Sequence, residues 1–257
     1  MKKDFIHNRK KLKIAILLDE IKNNKGLAIV MHGLGGFKEQ AHLQAMTEAF
    51  LENNYTVLRF DTTNTLGESD GDYADATVTN YYEDLEDVIK FAKQQSWYKE
   101  PFILAGHSLG GICTALYAEN HPKEVKALAP ISTVVSGKLS IESKEQKGEL
   151  EEWKRTGWRI KLSHSKPGMI KRLKWSHMKD RLKYDLLLKA NQLTMPVLLI
   201  VGDSDNSTLP EHQQLLYSKL PSKKEIYIIK NAPHTFKDPK HLEEIKGIFN
   251  NWIKNNL

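Results

Sequence analysis

The chain has 257 residues, 40% of them hydrophobic and 27% charged, a length that suits one sizeable α/β or β domain. A single cysteine, Cys113, excludes an intramolecular disulfide framework and a cysteine-rich zinc site, and a mean hydropathy of −0.50 argues against a membrane span. The 38 Lys/Arg against 32 Asp/Glu leave a net charge of +6, which permits an acidic partner without demanding one.

Asp4 to His7 and Leu12 to Leu18 flank the polar run Asn8-Arg9-Lys10-Lys11 and read as a hairpin. The run Ile14-Ala15-Ile16-Leu17-Leu18 is too short for the apolar region of a signal peptide, and no small-residue cleavage site follows, so a soluble, cytoplasmic protein is expected. Further strand-like runs lie at Leu27 to Met31, Tyr55 to Phe60, Pro101 to Ala105, Val125 to Ile131, Val197 to Val201 and Glu225 to Ile229. Most are apolar at successive positions, the mark of strands buried on both faces in a parallel sheet. Between them the apolar residues take a helical period: Leu43, Met46, Ala49 and Phe50 within Gln40 to Asn53, and Tyr82, Leu85, Val88, Ile89 and Ala92 within Thr79 to Gln95. Leu109 to Glu119, Pro210 to Leu220 and Lys240 to Lys254 complete the helices. The alternation predicts a doubly wound, mostly parallel α/β sheet.

The pattern changes between Val134 and Leu193. No strand run is evident, and Lys147 to Trp158 and Met169 to Leu188 read as charged helices. This predicts a helical cap over residues 133–192, inserted into a core made of residues 1–132 and 193–257. From Ser136 to Ala190 there are 15 Lys/Arg against 7 Asp/Glu, so the basic character of the chain belongs to this segment. The charges read as solvated helix faces, with an anionic substrate or acidic partner as the alternative. Trp153 and Trp158 share a short stretch with Leu150 and Ile160 and are candidates for substrate contact; the other reading is that they only fasten the cap to the core.

The chemistry sits at strand ends. Pro101-Phe-Ile-Leu-Ala-Gly106-His-Ser-Leu-Gly-Gly111 is an apolar strand running through Gly-x-Ser-x-Gly into a helix, the nucleophile elbow, with Ser108 raised above the sheet. Ile29-Val-Met-His32-Gly-Leu-Gly-Gly36 is a glycine-rich turn after another strand, and the backbone N–H groups of Leu34 and Leu109 are the candidate oxyanion donors. A serine needs a base, and the base needs a carboxylate. His234 follows the last strand and is the histidine in the right stretch; His212 lies in a helix and His241 well beyond the strand end. Asp203 and Asp205 both follow the seventh strand. Asp205, three residues past Gly202, is the preferred acid, leaving Asp203 to orient the loop. No cofactor fingerprint and no metal-ligand spacing is present, so no cofactor and no metal are expected. His107 and His32 read as supports behind the elbow and the oxyanion turn.

These segments, together with Arg59-Phe-Asp-Thr-Thr-Asn-Thr-Leu-Gly67-Glu-Ser-Asp-Gly71 and Ala232-Pro-His234, resemble the α/β-hydrolase superfamily, and within it small bacterial carboxylesterases related to feruloyl esterases and serine aminopeptidase-like hydrolases. In that family the acid lies three residues after the strand-end glycine, which supports Asp205. Two places depart from the pattern: Asn64-Thr-Leu-Gly67 replaces an Arg/Asn-Gly-His-Gly run, and Leu209-Pro210 comes one residue later than the usual Val-Pro. The resemblance implies a serine esterase acting through an acyl-enzyme on a small-molecule ester. A thioesterase, an amidase or peptidase, an acyltransferase, or a ligand receptor with little turnover would use the same parts. No nucleic-acid partner is expected, and the oligomeric state is open, a homodimer included.

Overall fold

The computed structural model describes residues 1–146, 148–163, 166–221 and 223–257. Its strands are β1 (Lys2–His7), β2 (Lys13–Asp19), β3 (Gly26–Met31), β4 (Tyr55–Phe60), β5 (Phe102–His107), β6 (Val125–Ile131), β7 (Trp158–Leu162), β8 (Ile170–Lys174), β9 (Val197–Gly202) and β10 (Lys224–Ile229). The helices are α1 (Ala41–Glu52), α2 (Val78–Ala92), α3 (Leu109–Asn120), α4 (Gly137–Gln146), α5 (Leu150–Thr156), α6 (Ser176–Arg181), α7 (Pro210–Lys219) and α8 (Pro239–Asn256). Eight strands form one sheet in the order β1-β2-β4-β3-β5-β6-β9-β10. The pairs β1·β2 and β2·β4 are antiparallel, and every pair from β4 onward is parallel. Each strand run read from the sequence lies in this sheet.

Period-two alternation divides the sheet's side chains between two layers. Leu27, Ile29 and Met31 of β3 pack with α2 and α3 on one face, whereas Ala28 and Val30 pack with α1 and α8 on the other. On the second face Phe50 of α1 meets Phe249 of α8 edge to face, 5.5 Å between ring centres. Helix starts follow the local chemistry. The Thr77 hydroxyl accepts from the Asn80 N–H at the head of α2, and the Asp238 carboxylate accepts from the Lys240 N–H ahead of α8, which opens on Pro239. α3 is buried on nearly every side and ends at His121, where Pro122 forbids another helical residue. Among the described residues no helix is long and apolar enough to cross a membrane.

Between β6 and β9 the structure departs from the all-helical expectation. α4, α5 and α6 are short, and Trp158–Leu162 pairs with Ile170–Lys174 as a two-stranded antiparallel hairpin. The helix expected over Lys147 to Trp158 is present as α5, with Lys147 outside the described residues and Trp158 already in β7, whereas Met169 to Leu188 gives way to β8 and keeps only α6 and a short 3₁₀ turn as helix. Leu150, Trp153, Leu173, Met178 and Leu186 join the same apolar cluster as α2, α3 and one face of the sheet. The indole N–H of Trp153 donates to the Leu173 carbonyl at 3.0 Å and so ties α5 to β8.

Candidate active site

Strand β5 delivers Ser108 to the carboxyl edge of the sheet. Its backbone stands at φ 55° and ψ −113°, a conformation that costs an L-residue on the order of 1–3 kcal/mol. The turn is tight because nothing larger than glycine fits around it. A Cβ on Gly106 would lie 2.5 Å from the Gly110 carbonyl oxygen, and one on Gly110 would lie 2.7 Å from that of Met31. Packing therefore holds the serine in its strained turn at the head of α3. Leu109 is the first residue of that helix, so its N–H has no intrahelical acceptor.

The last two strands bring up the remaining groups. The Ser108 Oγ lies 2.9 Å from Nε2 of His234, and Nδ1 of His234 lies 2.8 Å from Oδ2 of Asp205. Asp205 is 2% exposed. Its Oδ1 accepts from the N–H groups of Ser207 and Thr208 at 2.8 and 2.9 Å, and its Oδ2 accepts from the Thr208 hydroxyl at 2.8 Å. Burial pushes this carboxyl up, but the hydrogen bond and charge of His234 and the two N–H donors outweigh it and hold the group below its ordinary range. The extra residue before Leu209-Pro210 is taken up in this Asp205-centred turn. Asp203, by contrast, is exposed and accepts from its neighbour Ser204.

Three further histidines stand behind the site. His107 donates from Nε2 to the His234 carbonyl at 2.7 Å, and its ring lies 4.3 Å from that of His42 and 4.7 Å from that of His234. Burial, with the charges of His42 and His234, pushes His107 well below its ordinary value, and burial pushes His42 down to about 3. Both are therefore neutral wedges, which fits the supporting role read for His107. His32 bonds the Gly33 carbonyl through Nδ1 at 2.7 Å and accepts from the Thr62 N–H through Nε2 at 3.0 Å.

The loop of Leu34 is braced from below. The Thr65 hydroxyl donates to the Gly36 carbonyl at 2.6 Å, and the Gly35 N–H reaches the Tyr81 hydroxyl at 3.3 Å. Thr65 belongs to the divergent Asn64-Thr-Leu-Gly67 run, which thus braces the glycine-rich turn after β3. Beneath it Lys38, 1% exposed, pairs with the fully buried Asp61 at 2.8 Å and also bonds Glu68. Asp61 accepts in addition from the Lys38 and Glu68 N–H groups at 2.7 and 2.8 Å. Composition alone gave no hint of this pair; the only signal was an Asp directly after strand β4.

Ser108, His107, His234, Leu34 and Thr208 all line one cavity of about 600 Å³. The segment between β6 and β9 reaches it, but not through the residues expected. Trp153 is 1% exposed within the apolar cluster that joins the segment to α2, α3 and the sheet, and neither it nor Trp158 lines the cavity. Trp153 is stacked on His177 and meets Trp175 edge to face, while Trp158 lies beneath Arg172 and Lys174. Arg159, Lys161, Lys171 and Arg181 line the cavity instead, the first three from strands rather than helices, with Lys161 still exposed. Among the described residues no group of three or more His, Cys, Asp or Glu is placed to hold a metal ion.

The family described as serine aminopeptidase, S33, matches residues 22–239. The mouse (Mus musculus) palmitoyl-protein thioesterase ABHD10, mitochondrial, is 27% identical over 184 residues, which are 68% of this chain and 54% of that protein. The chain thus spans about half the length of this curated relative. Among solved structures, Est1E from Butyrivibrio proteoclasticus with ferulic acid bound superposes with a TM-score of 0.79 at 23% identity, covering 98% of each chain. The mouse ABHD10 structure gives 0.79 at 22% identity and covers 99% of each chain.

Proposed function

Because the chain belongs to the serine aminopeptidase, S33, family of α/β hydrolases, we propose that it is a carboxylic ester hydrolase working through an acyl-enzyme. One observation supports this best: an unbroken hydrogen-bonded chain from Ser108 through His234 to Asp205, opening on a cavity. As the Ser108 Oγ attacks the ester carbon, His234 Nε2 takes its proton and the carbonyl π electrons move onto oxygen. The N–H groups of Leu34 and Leu109 receive that oxyanion. Asp205 keeps Nδ1 protonated and stabilises the imidazolium. Collapse expels the alcohol, which leaves with the proton from His234. A water then gives its proton to His234 and attacks the acyl carbon, releasing the acid and restoring the Ser108 hydroxyl.

A thioester is the second reading, favoured by the activity in the name of the mouse relative. The same steps serve it with a thiol as the leaving group. A long acyl chain is poorly matched to this cavity, whose wall carries Arg159, Lys161, Lys171, Arg181 and Lys237. Short or polar acyl groups are the better fit.

A fluorophosphonate probe should label Ser108 alone, and Ser108→Ala should lower hydrolysis of p-nitrophenyl butyrate about a millionfold. Labelling at another residue, or near-normal turnover by the variant, contradicts the reading.

A further inference from the structure

The β7–β8 hairpin is built the wrong way round for a surface element. Directly opposed residues of an antiparallel pair share a face. Arg159 opposes Leu173 and Lys161 opposes Lys171, so these four share one face. On it, Arg159, Lys161 and Lys171 line the cavity and Leu173 is buried. The other face carries Ile160, Leu162 and Ile170, which are 58%, 67% and 62% exposed. The hairpin therefore turns three of its five cations toward the cavity, while Arg172 and Lys174 share the outer face with its aliphatic side chains. Lys161 and Lys171 stand directly across from each other, a like-charge pairing that destabilises a sheet.

The charges they meet inside are mostly positive as well. Arg181 adds a buried guanidinium, 7% exposed, that touches His177 Nε2 at 2.8 Å and leaves its own Nε without a hydrogen-bond partner. Lys237 is the fifth cation on the wall and Glu39 the one carboxylate. Lys161 is paired with Glu149. Among the described residues no carboxylate lies within ion-pair distance of Arg159, Lys171 or Arg181. Burial, with the charges of Arg159 and Lys161, pushes the Lys171 ammonium below its ordinary value, and burial together with Arg159 brings Arg181 down to about 10. The guanidinium of Arg159 is held in place by stacking 4.6 Å over the Trp153 ring. Lys171 lies 5.6 Å over the Tyr73 ring. Arg159, Lys171 and Arg181 are thus fixed around one space without a paired carboxylate among the described residues, an arrangement an anion would relieve.

We infer that Arg159, Lys171 and Arg181 form a subsite for an anionic group, a carboxylate or a phosphate, carried by the substrate at a distance from the bond that Ser108 attacks. This inference rests on the ester-hydrolase reading and specifies its substrate class: hemiesters of dicarboxylic acids if the anion lies on the acyl side, phosphorylated thiol or alcohol conjugates if it lies on the leaving group.

Mono-p-nitrophenyl adipate and p-nitrophenyl hexanoate differ by one carboxylate and test the acyl side. Hexanoyl-coenzyme A against hexanoyl-N-acetylcysteamine tests the leaving group. In at least one pair the anionic member should win in kcat/KM by about tenfold or more at low salt, and the advantage should shrink with added salt. Lys171→Gln and Arg159→Gln should each cut that ratio severalfold, and Lys171→Arg should keep it. A second measurement does not need turnover: free adipate or inorganic phosphate should raise the Tm of the Ser108→Ala protein. With Lys171→Gln added, that rise should vanish while the ligand-free Tm stays level or increases, since a like charge has been removed. Neutral esters cleaved at Ser108 with no anionic preference in either pair, and no Tm rise, would overturn the subsite and leave the hydrolase reading intact. A Tm rise lost in Lys171→Gln, with no ester cleaved and no labelling at Ser108, would keep the subsite and overturn the hydrolase reading.

Discussion

Asp203 and Asp205 are two positions apart in one loop, yet only one is sheltered. Asp205 is buried against His234 and three donors, whereas Asp203 faces solvent. Asp205→Asn is expected to favour the wrong tautomer of His234 and lower kcat on the order of 10⁴-fold, against little change from Asp203→Asn. Steady-state kinetics on p-nitrophenyl butyrate decides between them, and a reversed order would move the acid to Asp203. Glu119, on α3, offers a test of another kind. It is 6% exposed, its Oε1 has no hydrogen-bond partner, and burial pushes its carboxyl up to about 8 against the pull of Lys189. Between the ordinary carboxylate range and about 8, the folded protein keeps this proton and the unfolded chain has lost it. Its folded state therefore binds more protons, and this group's contribution to stability falls as pH rises through that window. Glu119→Gln removes the penalty, so the Tm advantage of the variant should grow from about pH 5 to about pH 8. Equal Tm differences at both ends would show that Glu119 is ionised in the folded state throughout.

The loops after β3 and β4 act as one element because Lys38 and Asp61 join them. Lys38→Met would strand the fully buried carboxylate and should lose about 3–5 kcal/mol in urea unfolding. Truncating the exposed pair Lys10–Glu83 should lose less than about 1 kcal/mol. Equal losses would mean that the Lys38 site is wetter than its burial implies. Such pairs are hard to read in a sequence, because Lys38 and Asp61 are charged residues in loops and only the fold reveals that they meet. The inner strands β2 to β6 and β9 were legible for the opposite reason: their apolar runs have no other stable use than burial on both faces. Ser108 and His234 were legible because each follows an apolar strand run in the chain order that the elbow motif sets, and the structure brings them within 2.9 Å. The β7–β8 hairpin escaped notice although Trp158, Ile160 and Leu162 alternate with Arg159 and Lys161 in a strand period. Alternation reports which residues share a face, and the usual inference is that the apolar face points inward. Here Ile160 and Leu162 point out, so the inference that cations are solvated failed at the site where they line a cavity.

At the scale of the whole molecule the surplus of positive charge is local, and its kinetic consequences should be local too. Hydrolysis of a neutral ester should change less than about twofold in kcat/KM between low and moderate salt, because screening acts on charged encounters. A steep dependence with a neutral ester would mean that salt alters the fold of the cationic wall rather than substrate capture. The placement of that wall carries one more consequence. β6 and β9 are parallel neighbours, paired at Leu128 and Val197, so the chain leaving β6 at one edge of the sheet must travel back to the other before β9 can begin. The hairpin and its short helices are a detour on a journey the topology already requires. Lengthening a detour is entropically cheap, since closure entropy grows only with the logarithm of length. A lineage carrying this scaffold can therefore exchange the detour, and with it the charge and shape of the cavity wall, while the strands that lead to Ser108, Asp205 and His234 keep their register. Exchange of this kind would touch some sixty residues of the chain and leave Ser108, Asp205 and His234 where the sheet puts them.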